Sequence, residues 1–439
     1  MKSDSIKARR VPRPLPSKTV LAHERIQDVV EEVLNQTAFI DIHTHLFPPA
    51  FGKLGLWGID ELLTYHYLEA EFFRSSEMTP EAYFQLSKAQ QADAVWQALF
   101  VENSPVSEAT RGVVAVLQAF GLPTAEPDLS DARAFFQSQR LDAHIEKTIQ
   151  LAGVDAVTMT NDPLDPQERQ IWTAGAEPDK RFRAALRLDR ILRQWPAHYE
   201  QLQRLGYSVD SQASGRSMAE IRRFLEDWQQ RMAPAYMAVS LPDMRIRPRI
   251  PSQFPDESGR SRILTEAILP ASRELNLPLA LMIGVRRQVN PRIRLAGDGV
   301  GRADLRALGD LCRSYPDNRF LVTVLSRENQ HELCVLARKF SNLMPFGCWW
   351  FLNSPSIVKE ITRERIEMLG TSFIPQHSDA RVLEQLIYKW RNTRSTMSKV
   401  LGDTYRLLAR DGRAVFREDV ERDVNRLFRG NFQKWTGAA

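Results

Sequence analysis

In the segment IDIHTHLFPP, His43 and His45 stand two residues apart at the end of an apolar run. If that run is a β-strand, its alternation turns both imidazoles to one face and Ile42 and Thr44 to the other, so the two rings can reach one cation. Neutral imidazoles suit zinc or a similar divalent ion. The competing reading is a pair of histidines satisfied by local hydrogen bonds. Far along the chain, HSDAR (377–381) ends another run with Asp379. That carboxylate becomes a third metal ligand if the two runs are neighbours in a closed parallel barrel. Otherwise Asp379 caps the helix expected over VLEQLIYKW. His377 shares the side of Asp379 on the strand and either touches a ligand or is held by structural hydrogen bonds.

These residues need a scaffold that brings the two ends of the sequence together. Eight short apolar or β-branched runs read as strands: 38–45, 154–160, 182–188, 236–242, 277–284, 319–326, 343–350 and 371–379. Helix-like stretches separate them. Near-continuous apolar runs are the mark of buried parallel strands, and eight of them favour an α/β fold of the (β/α)8 TIM-barrel type. Such barrels take about 250 residues, so 439 residues leave room for more. The long gap after the first strand reads as a helical insertion, residues 50–150, with IDELLTYHYLEAEFFR as one of its helices. The stretch 189–235 suggests two helices. Residues 1–35 read as an N-terminal arm and first helix, 36–49 and 151–439 as the barrel, and the last part as C-terminal helices packing back on it.

Composition narrows the class of function. The chain is 43% hydrophobic and 26% charged, and no segment approaches the roughly 20 apolar residues of a membrane span. The first twenty residues carry charge and three prolines without an apolar core, unlike a secretory signal. Cys312, Cys334 and Cys348 have no metal-type spacing and suit a reducing compartment, so a cytoplasmic location is expected. The net charge of +5 comes from scattered arginines rather than a basic block, which argues against nucleic acid as a partner and leaves a small anionic molecule open.

Taken together, IDIHTHLF, the YHY segment, TNDPLD (160–165), the R-L-D triplet at 187–189, GCWWFLN (347–353) and HSDAR resemble the uronate isomerase (glucuronate isomerase) family. That family is a divergent branch of the amidohydrolase superfamily. The resemblance implies one divalent ion, zinc, on His43, His45 and Asp379, with Tyr67, Arg187, Trp350 and Arg381 facing the sugar. It also implies an aldohexuronate such as D-glucuronate as substrate and its ketose, D-fructuronate, as product. Moving a proton from C2 to C1 through an enediolate needs a base, a route for hydroxyl protons and a stabiliser of negative charge. Asp379 is the candidate base, with Tyr67 and Arg381 as the other catalytic candidates. Arg187 and Arg381 suit a carboxylate because a guanidinium donates two parallel hydrogen bonds. Trp350, Tyr67 and His377 complete the expected substrate contacts, and a homo-oligomer is expected.

Two departures from the family pattern stand out. Met282 occupies the place where the family usually has a histidine in the fifth strand, and a thioether neither donates a proton nor binds zinc well. The segment after Asp379 lacks an aromatic-rich continuation. The main alternative is a mononuclear metal-dependent hydrolase acting on a lactone or amide, with Asp379 taking a proton from water. A non-catalytic binding barrel is a third reading. Of the other histidines, His66 is expected to be a lesser participant, and His23, His144, His198 and His331 to be solvated.

Overall fold

Seven of the eight apolar runs form one curled parallel sheet in chain order: β1 (Phe39–Thr44), β2 (Val154–Asn161), β3 (Phe182–Arg187), β4 (Met237–Leu241), β5 (Leu279–Ile283), β6 (Phe320–Val324) and β7 (Leu343–Pro345). This computed structural model describes residues 19–175, 179–242 and 255–437, so the first eighteen residues of the expected arm lie outside it. Every residue of β1, β5 and β6 is buried. Burial on both faces explains why these strands lack a polar alternation. Between strands the chain returns through helices, several with side-chain caps. Asp165 accepts from the backbone of Gln167 and Glu168 to start the helix Pro166–Thr173, and Asp304 does the same for Leu305–Ser314.

The run at 371–379 is not a regular strand, which corrects the eight-strand expectation. Residues near Ile374 touch the β7 edge: Ile374 N donates to the Pro345 carbonyl (3.0 Å) and Gly347 N to the Ile374 carbonyl (2.9 Å). At the β1 edge, Asp379 N donates to the His43 carbonyl (3.1 Å) and His45 N to the Ala380 carbonyl (2.7 Å). Between these points the ladder is interrupted. Asp379 itself has φ 51°, a left-handed conformation no strand accommodates.

Helices fill most of Ile59–Ala152, and those up to Gln137 share a hydrophobic cluster that includes Leu63, Phe72, Tyr83, Trp96, Val113 and Phe136, whereas Ile145, Ile149 and Ala152 of the helix Leu141–Ala152 pack into the core of the sheet. Val382, Ile387 and Tyr388 from the far end of the sequence belong to the same cluster. The stretch IDELLTYHYLEAEFFR is two helices rather than one, Ile59–Leu63 and His66–Ser75, because Tyr65 is extended (φ −73°, ψ 139°). Likewise 189–235 holds three helices, Asp189–Arg193, Trp195–Arg204 and Gly215–Met232. Pro196 sits in the first turn of the second of these, where its missing N–H costs nothing.

The helix Gln385–Arg410 fastens the C-terminal region to the sheet. Its Trp390 packs edge-on to Phe39 of β1 at 5.4 Å, and Phe428 stacks on the same ring at 3.8 Å. Arg394 donates to the carbonyls of Leu34, Thr37, Ala152 and Gly153. Burial without a carboxylate partner pushes its pKa down to about 10. Among the described residues, no helix is long and apolar enough to cross a membrane.

Candidate functional site

Chain closure brings His43, His45 and Asp379 together, with one ligand atom from each lying within 4.8 Å of the others. Nε2 of His45 is 3.3 Å and Nε2 of His43 3.8 Å from Oδ1 of Asp379. Ligands about 2.0–2.2 Å from a tetrahedral ion stand roughly 3.3–3.6 Å apart, so His45 and Asp379 already have that spacing and the remaining separations need only a small closure to surround one cation. Asp379 does not cap the following helix, whose N-cap is Glu384.

Hydrogen bonds behind the rings decide which nitrogen is free. The Tyr236 hydroxyl donates its one proton to the Ile42 carbonyl (2.6 Å), so at 3.0 Å from His43 Nδ1 it can only accept. Thr160 donates to the Thr44 carbonyl (3.1 Å) and accepts from His45 Nδ1 (2.9 Å). Both imidazoles therefore carry their proton on Nδ1 and turn a bare Nε2 toward Asp379. Burial lowers the pKa of His43 to about 3 and of His45 to about 4, which keeps both rings neutral. Burial works to raise the Asp379 carboxyl, and only a positive charge beside it would bring it below the usual carboxylate range. Neutral rings do not themselves supply the positive charge this lowering calls for. Oδ1 of Asp379 has no hydrogen-bond donor, so the cluster is three acceptors suited to a cation.

Asp41, an unremarked residue of the IDIHTH run, ties these parts together. Its Oδ1 accepts from Ser378 N at 3.1 Å, and its Oδ2 from Trp390 Nε1 at 2.9 Å. Burial raises its pKa to about 6 against these hydrogen bonds. One side chain thus links β1, the segment before Asp379 and the helix Gln385–Arg410.

The residues expected to face a sugar lie at varied distances from hydrogen-bonding company. Tyr67 is in the first turn of His66–Ser75, and its hydroxyl is buried without a partner. His66 beside it is also buried, its ring 5.4 Å from that of Trp350, closer to the group than the sequence suggested. Trp350 begins a short turn at φ 48° and leaves Nε1 unpartnered. Arg187 is engaged by Asp189 (2.8 Å), whereas Arg381 has no ion-pair partner among the described residues. His377 is fully buried 5.3 Å from the His43 ring with neither nitrogen hydrogen-bonded, and burial lowers its pKa to about 3. Met282 is buried in β5, opposite Ser240 and Thr323.

His144 is not solvated, contrary to expectation. It is 1% exposed, and its Nε2 lies 2.7 Å from Oε1 of Glu384, which also accepts from Gly58 N at 3.1 Å. The helical period places 144 beside Leu141, Ile145 and Thr148 on the inward stripe of Leu141–Ala152, a signal present in the sequence. His331 is exposed as expected, pairing with Glu364.

Among solved structures, a uronate isomerase from Bacillus halodurans is 49% identical with a TM-score of 0.91, the match covering 96% of this chain and 98% of that one. A uronate isomerase from Thermotoga maritima has 14% identity and a TM-score of 0.76 over 95% of this chain and 98% of that one. A glucuronate isomerase from Caulobacter crescentus has 16% identity and a TM-score of 0.73 over 96% and 95%. These last two show likeness of fold alone. Neither a protein-family model nor a curated protein matches the sequence.

Proposed function

This chain belongs to the uronate isomerase family, and from that premise we propose that it interconverts D-glucuronate and D-fructuronate at the His43, His45 and Asp379 cluster. It is an enzyme of the aldose–ketose isomerase type. We read the scaffold as a (β/α)8 barrel whose irregular eighth element is the segment bearing Ile374 to Ala380, with residues 50–150 as an inserted helical domain. The backbone hydrogen bonds from that segment to both sheet edges support this reading.

His43, His45 and Asp379 would hold one divalent ion, zinc by the donor set, which supplies positive charge beside the substrate's oxygens. Asp379, kept ionised, takes the proton from C2 and returns it to C1. Tyr67 gives its hydroxyl proton to the aldehyde oxygen and recovers one from the C2 hydroxyl. Arg381 and Arg187 bind the carboxylate and offset charge on the enediolate. Trp350 forms an apolar wall against a sugar face, and His377 supports the site from beneath. The same proposal includes a cytoplasmic location, in keeping with three buried free cysteines, and assembly into a homo-oligomer with a small anionic sugar, not nucleic acid or membrane, as partner.

The observation that carries this reading is the cluster of two bare Nε2 atoms and one unpartnered carboxylate oxygen in a chain 49% identical to a uronate isomerase. A hydrolase on the same scaffold is not favoured by that match. Zinc-loaded protein incubated with D-glucuronate should give a ketose by NMR, without oxygen from solvent water entering through hydrolysis. No product from either glucuronate or galacturonate would overturn the assignment.

A further inference from the structure

The helix Gln385–Arg410 buries a cation behind Tyr67. Lys389 is 5% exposed, and its Nζ has no hydrogen-bond or ion-pair partner among the described residues. The ammonium lies 5.6 Å from the centre of the Tyr67 ring and 5.5 Å from that of Tyr388, so it rests against two phenols. Beside it a cavity of about 10 Å³ is lined by Lys389, Glu108, Asn353, Gln376 and Thr393. That volume suits one water, and Asn353 Nδ2, another buried donor without a partner, is among its polar neighbours. Glu108 also borders a wider opening of about 180 Å³. The Glu108 carboxylate acts on the ammonium electrostatically but forms no direct ion pair with it among the described residues, and a buried ammonium without a direct partner is costly to keep.

We propose that Lys389 is a positioning residue of the isomerase reaction, acting through Tyr67: its charge favours the tyrosine oxygen in the state that has given up its proton. The inference rests on the isomerase reading above. In that step the Tyr67 O–H bond breaks as an O–H bond forms on the aldehyde oxygen, and the C2 hydroxyl returns a proton to Tyr67 as the ketone forms. Lys389 keeps its own protons throughout. A cation near the face of a phenol is attracted to the ring, and more strongly once the ring carries negative charge.

The test is Lys389→Met, alone and in a Tyr67→Phe background, with uronate turnover followed by NMR sensitive enough for a slow enzyme. With Tyr67 present, kcat is expected to fall about 10- to 100-fold while KM moves less than about threefold and the melting temperature does not fall. With Phe at 67, the same substitution should change kcat less than about twofold, the non-additivity expected of residues that act as a unit. Equal losses in both backgrounds, or no loss of kcat, would overturn the role of Lys389 while leaving the isomerase intact. A wild-type protein that converts no uronate would overturn the isomerase reading and this inference with it. Should the methionine variant not fold, Lys389→Gln is read by the same criteria.

Discussion

Tyr236 and His43 are 193 residues apart in sequence, yet the tyrosine oxygen sits 3.0 Å from Nδ1 of the imidazole and has already committed its proton to the Ile42 carbonyl. Tyr236→Phe keeps the ring and removes the acceptor that orients His43. Metal affinity is expected to drop about 10- to 100-fold, the usual effect of losing such a partner. Competition with a chromophoric chelator measures it, and unchanged affinity would show that the tautomer is set by something else.

Acid should weaken the metal-free protein over a defined window. Burial holds His43 and His377 at about 3 and His45 at about 4, against an ordinary value of 6.5. Between those values the unfolded chain binds more protons than the folded one, so stability falls as pH is lowered from about 6.5 toward 4 and is insensitive to these groups above that range. Imidazole resonances followed by NMR across pH 4–8 isolate these rings from carboxyls such as Asp41, whose raised value gives the opposite slope in the same window. Rings that take up protons near 6.5 in the folded protein would contradict the prediction.

Unlike Arg187, which pairs with Asp189, Arg381 makes no ion pair among the described residues, which leaves its guanidinium available to a ligand. Arg381→Lys replaces a two-pronged donor by a point charge, at a cost of about 1.5–3 kcal/mol of carboxylate binding. KM for the uronate is expected to rise about tenfold or more. Steady-state kinetics showing no change in KM would remove Arg381 from the substrate site.

Gly347 is required by its neighbour. A Cβ there would lie 1.8 Å from Nδ1 of His377, and φ is 64°, where an alanine is strained whatever the space. Gly347→Ala is expected to destabilise the fold by about 2 kcal/mol or more and to displace the His377 ring, which packs against His43. Denaturant unfolding measures the first effect and metal content the second; a fully stable variant with normal metal content would show that the site tolerates the shift.

Much of this molecule is legible along the chain because it depends on local periodicity. The apolar runs that became β1 to β7, the common facing of His43 and His45, and their meeting with Asp379 all follow from strand alternation and the order of elements. Tertiary structure decided what alternation cannot express. Asp379 left the strand geometry for a left-handed turn because it must serve β1 and the site at once. Tyr236, Thr160 and Asp41 set the state of the imidazoles and the position of their neighbours through hydrogen bonds that exist only after the sheet has curled. His144 changed from a surface candidate to a buried partner of Glu384 because the helices after β1 dock on the chain's far end. A residue's own spacing reveals which way it points, but its partner is chosen by closure, which joins positions that no local pattern connects.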